Sequence, residues 1–275
     1  MSLVGKFQLA GLSDVGMQRG HNEDSIASDP HLGLAVLADG MGGYKAGEVA
    51  SAIAVNMVME SIRDGVRELG RAEIDEGTGL FKETLLLEKA IANANKAIHQ
   101  TSKSQPQCKG MGTTIVCVLF YDDRMTIGHV GDSRMYRQRG DHFEQITVDH
   151  SLLQELVDKG FYTPEQARDS LNKNLVTRAI GIEAEVKPEM QEDVVVPGDT
   201  FLLCSDGLSD LVTDDEIHLI LNEYGDNLDE TASVLIAKAN ENGGKDNISV
   251  ILARAMKPFP ISKGSWYSRL LDWFD

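Results

Sequence analysis

The chain has 275 residues, 42% of them hydrophobic and 25% charged, a composition that suits one globular domain with a large core. Its 43 acidic residues against 26 basic ones leave a formal charge of -17, which repels nucleic-acid phosphates and anionic membrane surfaces and argues against a DNA- or RNA-binding role. No apolar run approaches the roughly 20 residues of a membrane span, and no signal-type sequence opens the chain, so a cytoplasmic, monomeric protein without transmembrane segments is expected. Cys108, Cys117 and Cys204 are far apart, two of them inside apolar runs, which suggests free buried thiols and neither disulfides nor zinc.

Short apolar runs rich in β-formers predict strands over 7–12 and 34–38. Val49, Ile53, Met57, Ile62 and Val66, then Leu87, Ala90, Ile91, Ala94 and Ile98, recur at helical spacing and predict two long amphipathic helices. Strands follow over 113–120 and 125–130. The polar stretch 150–180, with helix-start signals at Ser151 and Thr163, interrupts the pattern as a surface flap. Strands at 194–196 and 201–204 precede a capping box, Thr213 with Glu216, that opens a helix to about Tyr224. A helix over 228–239 and a strand over 248–252 complete a domain placed at 1–255. In the tail, 256–275, Trp266, Tyr267, Leu270, Leu271, Trp273 and Phe274 would share one face of a helix. Adjacent strands with helices grouped between them argue for a layered α+β fold, an α/β/β/α sandwich, against a doubly wound parallel sheet.

Asp39 and Asp206 each end an apolar run and precede a glycine, Asp132 follows the run 125–130, and Asp246 precedes the run 248–252. One Asp-Gly after a strand is a turn; four carboxylates delivered to strand edges are hard to explain that way. Brought together they would repel one another unless cations neutralised them, and an all-oxygen ligand set suits magnesium, manganese or calcium. Arg19 stands among Glu23, Asp24 and other acids, where a planar fork of donors suits a phosphate. The glycines after Asp39 match neither a dinucleotide fingerprint, which would need glycine at Lys45, nor a P-loop, and there is no GxSxG elbow.

The segments 19–24 (RGHNED), 39–43 (DGMGG), 110–114 (GMGTT), 131–134 (GDSR), 149–151 (DHS), 205–207 (SDG) and 246–247 (DN), in that order, resemble the type 2C metal-dependent serine/threonine protein phosphatases in their short bacterial form. The resemblance covers about residues 6 to 254 and implies a central β-sandwich flanked by pairs of antiparallel helices. It implies two ions, manganese or magnesium: Asp39 bridging them, the Gly40 carbonyl on one, Asp206 and Asp246 on the other. Glu23 and Asp24 would act through metal-bound waters, Asp132 would help Asp206 hold a third, weaker ion, and Arg19 would hold the substrate phosphate. Phosphoserine and phosphothreonine in proteins, the products of a cognate kinase, would then be hydrolysed by direct attack of a hydroxide bridging the metals. Many eukaryotic relatives carry a histidine where this chain has Met41, so the leaving group must take its proton from a metal-bound water or from another side chain, for which His150 is one candidate. The alternative is a pseudophosphatase that binds phosphopeptides without cleaving them.

Overall fold

The computed structural model describes residues 3, 5–43, 46–69, 72–163, 166 and 175–257. In chain order its elements are β1 (Phe7–Asp14), β2 (Asp24–Asp29), β3 (Leu34–Met41), α1 (Ala46–Gly65), α2 (Lys82–Ser104), β4 (Gly112–Thr113), β5 (Ile115–Tyr121), β6 (Arg124–Val130), β7 (Arg134–Arg139) and β8 (His142–Gln145). Then come α3 (Leu152–Asp158), β9 (Glu189–Val194), β10 (Thr200–Cys204), α4 (Asp206–Ser209), α5 (Asp214–Tyr224), α6 (Leu228–Glu241) and β11 (Ile248–Ala255). One antiparallel sheet runs β1-β11-β10-β7-β8 and the other β2-β3-β5-β6-β9, with β4 paired to β3.

The central strands β5 and β10 are buried along their whole length because both faces of the sheets are covered there. On β3, Leu34, Val36 and Ala38 pack with Val58, Ile62 and Ile91 of α1 and α2. Ala35 and Leu37, on the opposite face, pack with Phe120 and with Phe7, Phe201, Leu203 and Ile251 of the second sheet. That sheet's outer face, Leu202, Cys204, Val250 and Leu252, meets Ile217, Leu221, Leu235 and Ile236 of α5 and α6. Three apolar layers between four layers of elements make the α/β/β/α sandwich that the order of elements predicts. All three cysteines are free and buried.

The capping box at Thr213 is present, with Thr213 Oγ1 accepting from Glu216 N at 3.3 Å and Thr213 N donating to Glu216 Oε2 at 3.0 Å. Ser151 caps α3 by accepting from Gln154 N. Thr163 and Gln166 exchange the same reciprocal pair of bonds, while most of the helical piece expected after them lies outside the described residues. The tail helix expected around Trp266 also lies outside them. Three differences from the expected strands have physical causes. The run expected over 194–196 is a strand over Glu189–Val194, whose Glu192 is drawn inward by Thr84 and by the amide of Phe81. β7 escapes an apolar search because its arginines are paired, Arg137 with Glu144 and Asp193, Arg139 with Asp199. β2, which Asp24 opens, escapes the same search because Ile26 and Ala27 are the apolar residues in it.

Candidate metal centre

The acidic residues gather where the strands of both sheets run out at one end of the sandwich. Asp39 lies one residue before the Gly40–Thr113 pair of β3 and β4, and directly across the strand from Asp24. Like charges directly opposed on neighbouring strands destabilise a sheet, so this pairing needs a compensating cation or proton. Asp132 follows the end of β6 by two residues, Asp206 opens α4 just after β10, and Asp246 precedes β11. Asp206 thus stands at the start of a short helix.

The backbone of Asp39 is held from every side. Its amide donates to Thr114 Oγ1 at 3.2 Å, and its carbonyl accepts from Thr114 N at 2.9 Å and Thr113 Oγ1 at 2.7 Å. Gly40 N donates to the Glu23 carbonyl at 3.1 Å. A Cβ on Gly40 would lie 2.2 Å from the Gly47 carbonyl oxygen and 2.5 Å from that of Glu23, so only glycine lets these three chain segments cross. The same holds at Gly207, where a Cβ would lie 2.0 Å from the Asn247 oxygen. Asn247 ties the Arg19 loop to Asp246: its Oδ1 accepts from Glu23 N, its Nδ2 donates to the carbonyls of Val15 and His21, and its own amide donates to Asp246 Oδ1.

Asp24 Oδ2 accepts from Ser249 Oγ at 2.6 Å and Ser205 Oγ at 2.9 Å, which links the two sheets. Even with these bonds, burial, with a contribution from the charge of Asp246, pushes its carboxyl up to about 6. Asp132 is likewise pushed up to about 6, by burial and then by the charge of Asp149. Asp39 and Asp206 are raised well above the usual carboxylate range, first by burial and then by neighbouring aspartates, Asp24 for the former and Asp132 for the latter. Asp24 Oδ1 and Asp206 Oδ1 are buried and have no hydrogen-bond partner among the described residues. Orphaned oxygens amid mutually repelling carboxylates suit an all-oxygen divalent cation site, so the residues fit manganese or magnesium.

Arg19 is at this cluster, but Nη2 donates to Asp246 Oδ2 at 2.5 Å in a half-exposed ion pair, so here its fork is engaged with an expected metal ligand. His150 has both ring nitrogens committed. Its Nδ1 accepts from Gly131 N at 3.0 Å, its Nε2 lies 3.1 Å from Glu189 Oε2, and burial lowers its pKa. Arg178 stands 2.9 Å from the same Nε2. The ring therefore braces the turn before Asp132 and leaves no nitrogen free for a leaving group. His129, His150 and Glu189 have ligand atoms within 4.8 Å of one another, yet His129 Nε2 is bonded to the Val148 carbonyl and a guanidinium intrudes, which makes this a packed cluster and a poor cation site.

Ser205, Ser249, Thr113, Thr114 and Asn247 hold the carboxylates in place, and the sequence reading assigned none of them a role. Four of the five lie inside the motifs quoted above, which is the signal that could have found them; Ser249 has none, since a serine in an apolar strand looks like tolerated polarity until Asp24 faces it.

A fold of this layering with a strand-end carboxylate cluster defines a metal-dependent hydrolase. The sequence profile described as Protein phosphatase 2C matches residues 18–242. A serine/threonine phosphatase, stp, of Listeria innocua is 38% identical over 246 residues, covering 87% of this chain and 92% of that protein. The crystal structure of the Mycobacterium tuberculosis serine/threonine phosphatase PstP/Ppp superposes with a TM-score of 0.81 at 37% identity, over 91% of this chain and 99% of that one. The PstP catalytic domain in complex with two manganese ions superposes with a TM-score of 0.79 at 36% identity, over 91% and 99%. The chain belongs to the protein phosphatase 2C family.

Proposed function

We propose that this protein is a manganese- or magnesium-dependent serine/threonine phosphatase that removes phosphate from phosphorylated proteins, and that Asp39, Gly40, Asp206 and Asp246 hold two ions. The observation that carries the residue assignment is the pair of orphaned oxygens on Asp24 and Asp206 inside a cluster whose carboxyls are driven toward protonation. The ions supply Lewis acidity, lowering the pKa of water to make a nucleophile and offsetting charge as the phosphoester breaks.

The chain's own residues do the rest. Asp39 is fixed through its backbone by Thr113 and Thr114, so its carboxylate is presented without loss of orientation. Glu23 and Asp24 adjoin Gly40 and Asp39 and would act through water, and Asp132, braced by the Gly131–His150 contact, would join Asp206 at a third, weaker position. Arg19 leaves Asp246 and takes the non-bridging oxygens of the substrate phosphate, the bidentate pairing for which a guanidinium is shaped. In this reading a cognate serine/threonine kinase would make the substrates, and the enzyme would work as a cytoplasmic monomer. Among the described residues no helix is long and apolar enough to cross a membrane.

Hydrolysis of p-nitrophenyl phosphate and of a phosphothreonine peptide should require added manganese, stop on chelation by EDTA, and fall at least about a hundredfold in Asp206→Ala. Activity that survives both treatments would sink the metal assignment.

A further inference from the structure

Beside the centre lies a feature the phosphatase chemistry does not use. In a chain with 43 acidic residues among 275, residues 89–121 contain none, while Lys89, Lys96, His99, Lys103 and Lys109 all fall there. α2 and the turn after it bring part of this basic segment to a pocket of about 480 Å³, lined among others by His99, Ser102, Lys103, Lys109, Gly110 and Ile182.

We propose that this pocket, at the C-terminal end of α2, is a docking subsite for acidic residues flanking the phosphorylated side chain of a protein substrate. The proposal rests on the phosphatase activity argued above. Lys103 and Lys109 are exposed and form no ion pair among the described residues. The pocket wall also offers a buried nitrogen without a partner, His99 Nε2, because Nδ1 is taken by the Gly181 carbonyl at 3.2 Å. With Nδ1 as the donor, Nε2 of the neutral ring is an acceptor, and a peptide N–H entering the pocket would satisfy it. Ser102 Oγ already accepts from Gly110 N at 2.9 Å, which leaves its hydroxyl hydrogen to donate to an incoming carboxylate. Glu183 adjoins Ile182 in the chain but is not part of the lining. Charge complementarity therefore selects an acidic peptide, in an otherwise anionic protein that would repel one.

The pocket is also at the right distance. β4 pairs Gly112 with Met41 and Thr113 with Gly40, so the turn that ends the pocket runs directly into the strand beside the metal-holding segment. A Cβ on Gly42 would lie 3.5 Å from the Cα of Met111, and Gly42 and Gly43 are exposed between the two places. One cross-strand step of about 5 Å and two residues at about 3.3 Å separate Gly110 from the Met41 strand, a span of about four residues of extended peptide. Acidic residues three to five positions from the phosphoresidue would reach Lys103 and Lys109.

Phosphothreonine peptides carrying aspartates three to five positions from the phosphoresidue, on either side, should be compared with alanine counterparts on the full chain in manganese. The acidic peptide on the productive side should show a KM about tenfold lower at equal kcat, a preference erased by 0.5 M salt. Lys103→Glu/Lys109→Glu should abolish or reverse that preference while leaving p-nitrophenyl phosphate hydrolysis unchanged, since both lysines are exposed. A preference that persists in the double variant, or no preference in the parent, overturns the subsite. Loss of manganese-dependent hydrolysis of p-nitrophenyl phosphate by the parent overturns the phosphatase reading itself, and the subsite with it.

Discussion

The tightest statement the structure makes about any one side chain concerns Arg19. Its ion pair with Asp246 is half exposed, so it is worth little, about 1 kcal/mol or less, and a phosphate or a metal ion can break it. If a divalent ion takes Asp246, as proposed, the guanidinium would lose its partner and become available to the substrate. Arg19→Ala should therefore raise KM for a phosphopeptide about tenfold or more and leave the manganese concentration for half-activity equal or lower, because a competitor for Asp246 has gone. A higher manganese requirement in a titration of activity would show instead that Arg19 helps hold the metal. The sequence exposed Asp39, Asp206 and Asp246 because each puts a charge at the edge of an apolar run. It could not expose Ser249, whose hydroxyl matters only because Asp24 of the other sheet faces it.

At the scale of elements, the site is a crossing of backbones, and the crossings are closed by glycine. α4 packs its first turn on the segment before β11 so tightly that a Cβ on Gly207 would sit 2.0 Å from the Asn247 oxygen. Backbone cannot yield as a flexible side chain can, and Asn247 carries the bonds to Glu23, Val15 and His21. Gly207→Ala should cost about 1–3 kcal/mol in denaturant unfolding and raise the manganese requirement. Gly43→Ala, where a Cβ meets nothing within 4 Å, should change stability by no more than about 0.5 kcal/mol. Equal effects of the two would overturn the crossing as the cause. Elements whose apolar faces meet the cores were legible in the sequence: α1, α2, α5, α6 and the central strands. β7 and β9 were missed or misplaced because their polar side chains are satisfied only by partners distant in the chain, Asp199 for Arg139 and Thr84 for Glu192.

For the molecule as a whole, the same carboxylates that are proposed to bind the ions oppose folding without them. Asp24 and Asp132 have folded-state pKa values of about 6, above the ordinary value of 3.8, so their ionised forms are disfavoured in the fold. That penalty is absent below about pH 4, grows as pH rises toward 6 and is complete above it for these two, while Asp39 and Asp206, raised further, go on adding to it at still higher pH. Bound cations remove it; protons remove it too, by taking the place of the ions. The buried imidazoles of His129 and His150, whose pKa values are lowered, work in the opposite sense, since the unfolded chain binds their protons as pH falls below about 6.5. They are present with and without metal, so the difference between the two conditions cancels them. At pH 7.5 a hundredfold excess of manganese over its dissociation constant stabilises by about 2.7 kcal/mol, or roughly 5–10 °C for a chain of this size. The Tm in manganese minus the Tm in EDTA should therefore be largest near pH 7.5 and shrink toward zero by about pH 5. Asp206→Asn, which removes one repelling charge, should raise the Tm in EDTA at pH 7.5 while narrowing the manganese increment. An increment that stays constant from pH 7.5 to 5 would place the ions on groups other than these aspartates.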